Sequence, residues 1–202
     1  MHTNDILLFQ KYCLPLFKPG LRVLEIGPDK HPSTLQQLVA DRDVRWETVD
    51  IATEITDQLT YRATSEYSFP IGDGEFDIVL SANVMEHVKK IWVWIREVAR
   101  VCKPGGRVIT ILPVSWPYHP FPVDCWRIYP EGMKALYEEA GLQIELNVCE
   151  TLEIPLTGSR RQVPLHTHNP STPLRRAVKR LLGWPVEYAL DTIAIGVKVP
   201  QK

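Results

Sequence analysis

The chain has 202 residues, 45% of them hydrophobic and 23% charged, with a formal net charge of −1 at pH 7. That length suffices for one α/β domain with a full core, and the near-neutral balance excludes a polybasic nucleic-acid binder. No apolar run reaches the roughly 18 residues of a membrane span, no signal peptide is visible, and the four cysteines form neither a CxxC nor a zinc-like spacing; a cytoplasmic protein with reduced thiols is expected.

Residues 4–17, NDILLFQKYCLPLF, have the pattern of an amphipathic helix. Asn4 or Asp5 can cap it, and Ile6, Leu7, Phe9 and Cys13 are apolar. It packs on a sheet or covers a pocket, and packing is the simpler expectation. Pro19-Gly20 turns the chain into Arg22–Ile26, a short β-type run stopped by Gly27 and Pro28. Pro32 and Ser33 can open a helix bearing Leu35, Leu38 and Val39. A second extended run, Arg45–Val49, ends in Asp50. Strand, tight turn, helix, strand and acid make the first βαβ unit of a nucleotide-binding α/β sheet. Gly27 lets the backbone approach a ligand, and Asp50 can accept both hydroxyls of a ribose.

Tyr61–Ala63 is a short strand candidate, and Pro70–Phe76 is a turn-rich loop. Phe76–Leu80, FDIVL, is a near-continuous apolar run of the kind buried on both faces. Residues 89–102 form a helix by pattern, with Ile91, Ile95, Val98 and Cys102 in a stripe. Trp92 and Trp94 add bulk for the core or for a contact between copies of the chain, so a homo-oligomer is one expectation. Pro104-Gly105-Gly106 ends that helix and leads into the strand Arg107–Leu112. Met133–Ala140 reads as a helix closed by Gly141. Leu142–Cys149 and Tyr188–Val199 are the last strands. Between them, residues 155–187 read as a long polar loop, a lid by composition, that runs into a basic amphipathic helix at 173–182. That basic face suits anionic lipid or a phosphate-bearing substrate, although solvation is the simpler account. His166 and His168 offer two imidazoles to a divalent metal, but alternate residues in a loop make a loose ligand set.

Together, LEIG at 24–27, Asp50, FPIGDGEFDIVLSANVMEHV at 69–88 and VARVCKPGGRVIT at 98–110 resemble class I S-adenosylmethionine-dependent methyltransferases, of the type 11-like group. The likeness covers roughly Leu21 to Val148, and Tyr188–Val199 fits the family's last strand. The combination is far more specific than any one piece. It implies a single domain over 1–202: an α/β, Rossmann-like, doubly wound seven-stranded sheet whose last strand runs antiparallel after a hairpin. Residues 1–20 would be an N-terminal helix and 21–150 the cofactor-binding core. The cofactor implied is S-adenosyl-L-methionine. By resemblance Glu25 and Gly27 line its methionine part, Pro28 belongs to the same cofactor-binding turn, Asp50 holds the ribose, Ser65 and Glu66 stand beside the adenine, and Ser81 lies near the sulfonium and methionine end. The first loop lacks two glycines common among relatives, so Pro28 and Asp29 must fit the turn in their own way. Ser65 replaces an acid and binds an amino group more weakly.

Methyl transfer needs an acceptor aligned with the methyl and kept dry, and a hydroxyl acceptor also needs a base. Residues 113–130, an acceptor loop, are rich in aromatics and prolines. Trp116, Tyr118, Phe121 and Trp126 suit sugar faces or planar ligands. His119 is the first candidate base, since imidazole titrates near neutrality. Asp124 serves as base, orients His119 or pairs with Arg127; with equal weight, Asp124 and Arg127 simply brace the loop. His87 is read as structural. The run YHPFPVDCWR at 118–127 resembles a segment of bacterial methyltransferases of glycan and glycolipid synthesis. A small-molecule acceptor follows, most directly a sugar or oligosaccharide hydroxyl. The alternatives are an N- or C-methyltransferase on another metabolite and a non-catalytic S-adenosylmethionine-binding partner subunit. A nucleotide-sugar oxidoreductase is disfavoured, because the pyrophosphate cradle lacks its glycines.

Overall fold

The structure is a computed structural model that describes residues 2–51, 58–120, 122–152, 178, 181 and 190–200. Phe121, His166, His168 and nearly all of the 155–187 segment lie outside the described residues.

The apolar runs build seven strands: β1 Arg22–Ile26, β2 Arg45–Asp50, β3 Tyr61–Arg62, β4 Phe76–Ala82, β5 Cys102–Pro113, β6 Leu142–Glu150 and β7 Asp191–Lys198. They form one sheet in the order β3-β2-β1-β4-β5-β7-β6. β7 is antiparallel to both of its neighbours, and the pairs from β3 to β5 are parallel. The expected doubly wound sheet with a reversed last strand is therefore what forms. β6 and β7 pair as a hairpin, but the connection is the long segment 151–190 rather than a tight turn.

Alternation on the strands sends side chains to two cores, one on each face. Leu24, Ile26, Val79, Val108 and Leu112 meet the helices α3 (Ile91–Val101) and α4 (Pro130–Glu139). Val23, Ile78, Leu80, Ile109 and Ile195 meet α2 (Thr34–Leu38) and the N-terminal helical segment. That segment is α1 (Thr3–Leu8), a π-helical stretch (Phe9–Cys13) and a 3₁₀ turn (Leu14–Leu16). Pro15 has no N–H to give an α-helical ladder, which accounts for the tightened end. Leu8, Phe9, Cys13 and Phe17 are fully buried against the sheet, so packing is the segment's principal role. Of the two tryptophans on α3, Trp94 is core and Trp92 is 43% exposed.

One boundary differs from expectation. α3 stops at Val101 and β5 starts at Cys102, ahead of Pro104-Gly105-Gly106 rather than after it. Phe76 pairs with Cys102 and Ile78 with Arg107, so residues 103–106 loop out opposite Asp77. Gly106 is required there: a Cβ would lie 2.9 Å from the Asp77 carbonyl oxygen. The expectation missed this because prolines and glycines mark a turn without telling whether strand pairing has already begun. No helix among the described residues is long and apolar enough to cross a membrane.

Candidate active site

The carboxyl ends of β1, β2 and β4 meet at one edge. Ile26 pairs with Val49 on one side and Ser81 on the other. The Gly27 N–H donates to the Val49 carbonyl at 3.0 Å. Gly27, Asp50 and Ser81 are therefore neighbours at adjacent strand tips. Gly27 has φ +68°, and a Cβ there would come within 2.5 Å of the Val84 side chain. Its need for glycine is thus double: the left-handed backbone and the close packing of the chain after β4. Asp50 is half-buried, and its Oδ1 accepts the Ile51 N–H at 2.6 Å. Ser81 is buried inside β4 rather than beyond it, and its hydroxyl meets no hydrogen-bond partner among the described residues.

The turn after Gly27 closes without further glycines. Pro28 is buried, and Asp29 accepts from the Thr34 N–H at 2.9 Å and the Thr34 hydroxyl at 2.6 Å. Ser33 caps α2 by accepting the Gln36 N–H at 2.9 Å. Glu25 points to the α2 side of the sheet, where the Trp46 indole N–H donates to it at 3.0 Å and the Ser33 hydroxyl faces it. Burial pushes its carboxyl up to about 7. Glu25 thereby braces the turn from below. Beside Asp50, whose carbonyl accepts the Ala63 N–H at 2.9 Å, the chain turns through Ser65 and Glu66. The Ser65 hydroxyl accepts the Tyr67 N–H at 3.1 Å, so part of its accepting capacity serves its own turn.

The acceptor loop follows β5 onto the same edge. A cavity of about 290 Å³ is lined by Trp116, Tyr118, Asp124, Cys125, Trp126 and Arg127. Asp124 is its hub. Arg127 donates to both of its carboxylate oxygens, and the His119 backbone N–H adds a third bond at 2.9 Å. The guanidinium holds the Asp124 carboxyl far below the usual carboxylate range. An acid so stabilised is a poor proton acceptor at neutral pH, which leaves it positioning roles. Its Oδ2 lies 3.3 Å from His119 Nδ1. Arg127 spends its other contacts on the carbonyls of Trp126, Pro117 and Trp116 and on His119 Nδ1 at 3.5 Å. It is a brace for the loop. Trp116 stacks on the His2 ring with centroids 3.8 Å apart, and Tyr118 is 75% exposed. The Trp126 indole N–H donates to the Val88 carbonyl at 2.8 Å.

Three groups escaped notice in the sequence. Glu86 is fully buried between the β4 edge and the acceptor loop, and burial pushes its carboxyl up to about 8. Asp5 and Asn4 are buried too: Asp5 accepts from the Asn83 side chain at 2.6 Å, and Asn4 donates to Asp191 at 2.6 Å. For Glu86 the signal was present as an acid inside the apolar run NVMEHV. For Asn4 and Asp5 the capping pattern hid it. A larger cavity of about 800 Å³ lies between α4 and β6, away from these strand tips, and holds no histidine or cysteine.

A parallel sheet in this order with a reversed last strand, a glycine bend and an acid at its central tips define the Rossmann-like methyltransferase fold. Residues 24–110 match the family model described as a methyltransferase domain. Over 76 residues the chain is 40% identical to the protein YafE of Escherichia coli strain K12, a match covering 38% of this chain and 36% of YafE. The chain thus aligns with about a third of that relative's length. Among solved structures, it resembles a SAM-dependent methyltransferase from Archaeoglobus fulgidus (TM-score 0.64, 17% identity, covering 97% of this chain and 95% of that one). It also resembles Haemonchus contortus phosphoethanolamine N-methyltransferase 2 in complex with S-adenosyl-L-methionine (TM-score 0.61, 15% identity, covering 98% and 52%). At these identities the likeness is one of fold.

Proposed function

We propose that the chain is an S-adenosylmethionine-dependent methyltransferase acting on a small molecule, most directly on a sugar or glycan hydroxyl. The observation that carries this reading is the shared edge. The Gly27–Asp50–Ser81 tips and the aromatic cavity of residues 116–127 lie on one side of the sheet. The residues fit the cofactor: Ser81 offers a hydroxyl unpartnered among the described residues, Gly27 leaves no side chain at the bend, and Asp50 ends β2 beside it. Asp50 would hold the ribose hydroxyls and Gly27 with Ser81 the methionine end. Ser65 and Glu66 would flank the adenine. The cofactor supplies an activated methyl on its sulfonium.

The chain's own task is to seat the acceptor and take its proton. Trp116, Tyr118 and Trp126 line the cavity with apolar ring surface of the kind that packs on a sugar. His119 is the proton acceptor. Its Nδ1 lies 3.2 Å from the Pro117 carbonyl and 3.3 Å from Asp124, two acceptors nearer than the Arg127 donor at 3.5 Å, which favours hydrogen on Nδ1 and a lone pair on Nε2. Asp124 orients the ring and stabilises the imidazolium that forms, and Arg127 holds Asp124 and the loop.

Calorimetry with S-adenosylmethionine tests the cofactor half. Release of S-adenosylhomocysteine with candidate glycans, followed by mass spectrometry and NMR of the product, tests the acceptor half. A methylated nitrogen or carbon would replace the sugar reading with a different metabolite. Cofactor binding with no turnover on any lysate fraction would leave a non-catalytic partner subunit.

A further inference from the structure

The turn after β4 holds an acid that this reaction does not use. Neither carboxylate oxygen of Glu86 meets a hydrogen-bond partner among the described residues; its own backbone amide leans toward it without reaching hydrogen-bond geometry. Burying a carboxyl in that state is costly in either protonation form, because a neutral COOH also has a donor and acceptors to satisfy. His87 and His119 face it. One ligand atom from each of the three side chains lies within 4.8 Å of the others, and Glu86 Oε1 is 3.8 Å from His87 Nε2. The contacts of both rings favour one tautomer. His87 Nδ1 is tied to the Val123 carbonyl, which can only accept, so Nε2 keeps its lone pair on the Glu86 side. His119 Nδ1 is tied in the same way to Pro117 and Asp124. An imidazole whose far nitrogen donates to a carbonyl or carboxylate is the form in which histidine ligates metals.

We propose that Glu86, His87 and His119 form a binding site for a divalent first-row transition-metal ion, with the Val123 carbonyl and Asp124 orienting the two imidazoles. One carboxylate and two imidazoles suit Mn²⁺, Fe²⁺, Co²⁺ or Zn²⁺ better than Mg²⁺ or Ca²⁺, which prefer all-oxygen sites. Three protein ligands leave positions open to water or a substrate oxygen. The field is favourable, because Asp5 and Asp124 lie near Glu86, and Arg127, the neighbouring cation, is paired with Asp124. A second group, His2, Asp5 and Asp191, is less suited. There Asp5 already accepts from the His2 N–H and Asn83, and Asp191 accepts from Asn4. The ion's role rests on the methyltransferase reading: it would acidify an acceptor hydroxyl in place of the imidazole base. Binding itself does not depend on that reading.

The test uses the full chain, stripped with a chelator and desalted. It is titrated with Co²⁺, followed by visible absorption, and with Zn²⁺, followed by calorimetry. One ion per chain is expected. Glu86→Gln and His119→Asn should each weaken affinity by about tenfold or more, with the thermal shift on adding S-adenosylhomocysteine retained. His87→Asn serves as a third variant should either fold poorly by circular dichroism. Asp5→Asn, which removes a neighbouring charge and no ligand, should weaken affinity less than either of these. Absence of saturable binding up to about 1 mM, or binding lost in Asp5→Asn and kept in Glu86→Gln, would overturn the site. In turnover assays the chelator should lower the rate and Mn²⁺ restore it; turnover indifferent to the chelator returns His119 to the role of base and overturns the ion's part. Metal binding with no cofactor binding would sink the methyltransferase reading alone.

Discussion

Asp50 and His119 divide the proposed chemistry between cofactor and acceptor, and their substitutions separate the two halves. Asp50→Ala should weaken S-adenosylmethionine binding by about 1.5–3 kcal/mol for each charged hydrogen bond lost; calorimetry reads it, and unchanged affinity would mean the ribose lies elsewhere. His119→Ala should lower turnover while cofactor affinity stays level; turnover that persists across the pH range would assign the proton to another group. Glu25 carries a prediction about stability. Burial raises its carboxyl from 4.5 to about 7 in the folded chain. Between those values the folded protein holds a proton that the unfolded chain has released, so stability falls as pH rises through the window. The upper bound is about 3 kcal/mol. Urea melts of the cofactor-free protein should show this slope, and Glu25→Gln should remove its share and leave the like-signed share of Glu86, whose carboxyl is raised to about 8. Most of this residue-scale picture was legible for Gly27, Asp50 and Ser81, because strand ends in a parallel sheet put named positions side by side. It was not legible for Glu86 or Asp5, whose burial depends on which loop lands on them.

At the scale of elements, the acceptor loop is held by one ion pair and a set of carbonyl bonds. Arg127→Met leaves Asp124, whose side chain is 2% exposed, without its countercharge. The cost should fall below the roughly 3–5 kcal/mol of a fully buried pair, since Arg127 is itself partly exposed. Thermal melts measure that cost. A greater loss of acceptor affinity than of cofactor affinity would show that the damage is confined to the loop. The sequence offered Asp124 and Arg127 equally as chemistry or bracing, and geometry favours bracing, because every strong contact of the guanidinium stays within residues 116–127. Strands and helices were legible from periodicity almost throughout. The start of β5 was not, since pairing with Phe76 is a long-range fact that the local Lys-Pro-Gly-Gly pattern does not contain.

For the whole molecule, the proposed cofactor would bind the folded chain and not the unfolded one. At about 100 times Kd, S-adenosylmethionine should add roughly 2.7 kcal/mol of stability. For a domain of this size that is a rise in melting temperature of roughly 5–10 °C; differential scanning calorimetry measures it, and a flat response would remove the binding reading. The seven-stranded sheet with its last strand reversed was legible as a whole because the methyltransferase resemblance implied it, whereas the acceptor rests on a loop whose aromatics accommodate more than one flat ligand.

The acceptor loop is stitched to the turn after β4 at three places: Cys125 N–H to the Glu86 carbonyl, His87 to the Val123 carbonyl, and Trp126 to the Val88 carbonyl. Two stretches nearly forty positions apart in the chain thus behave as a single part. Retuning which molecule is methylated is then a joint alteration of both stretches. A loop transplanted from a relative without its companion turn would arrive with its fasteners cut, and diversification of acceptors on this scaffold would proceed by paired exchange.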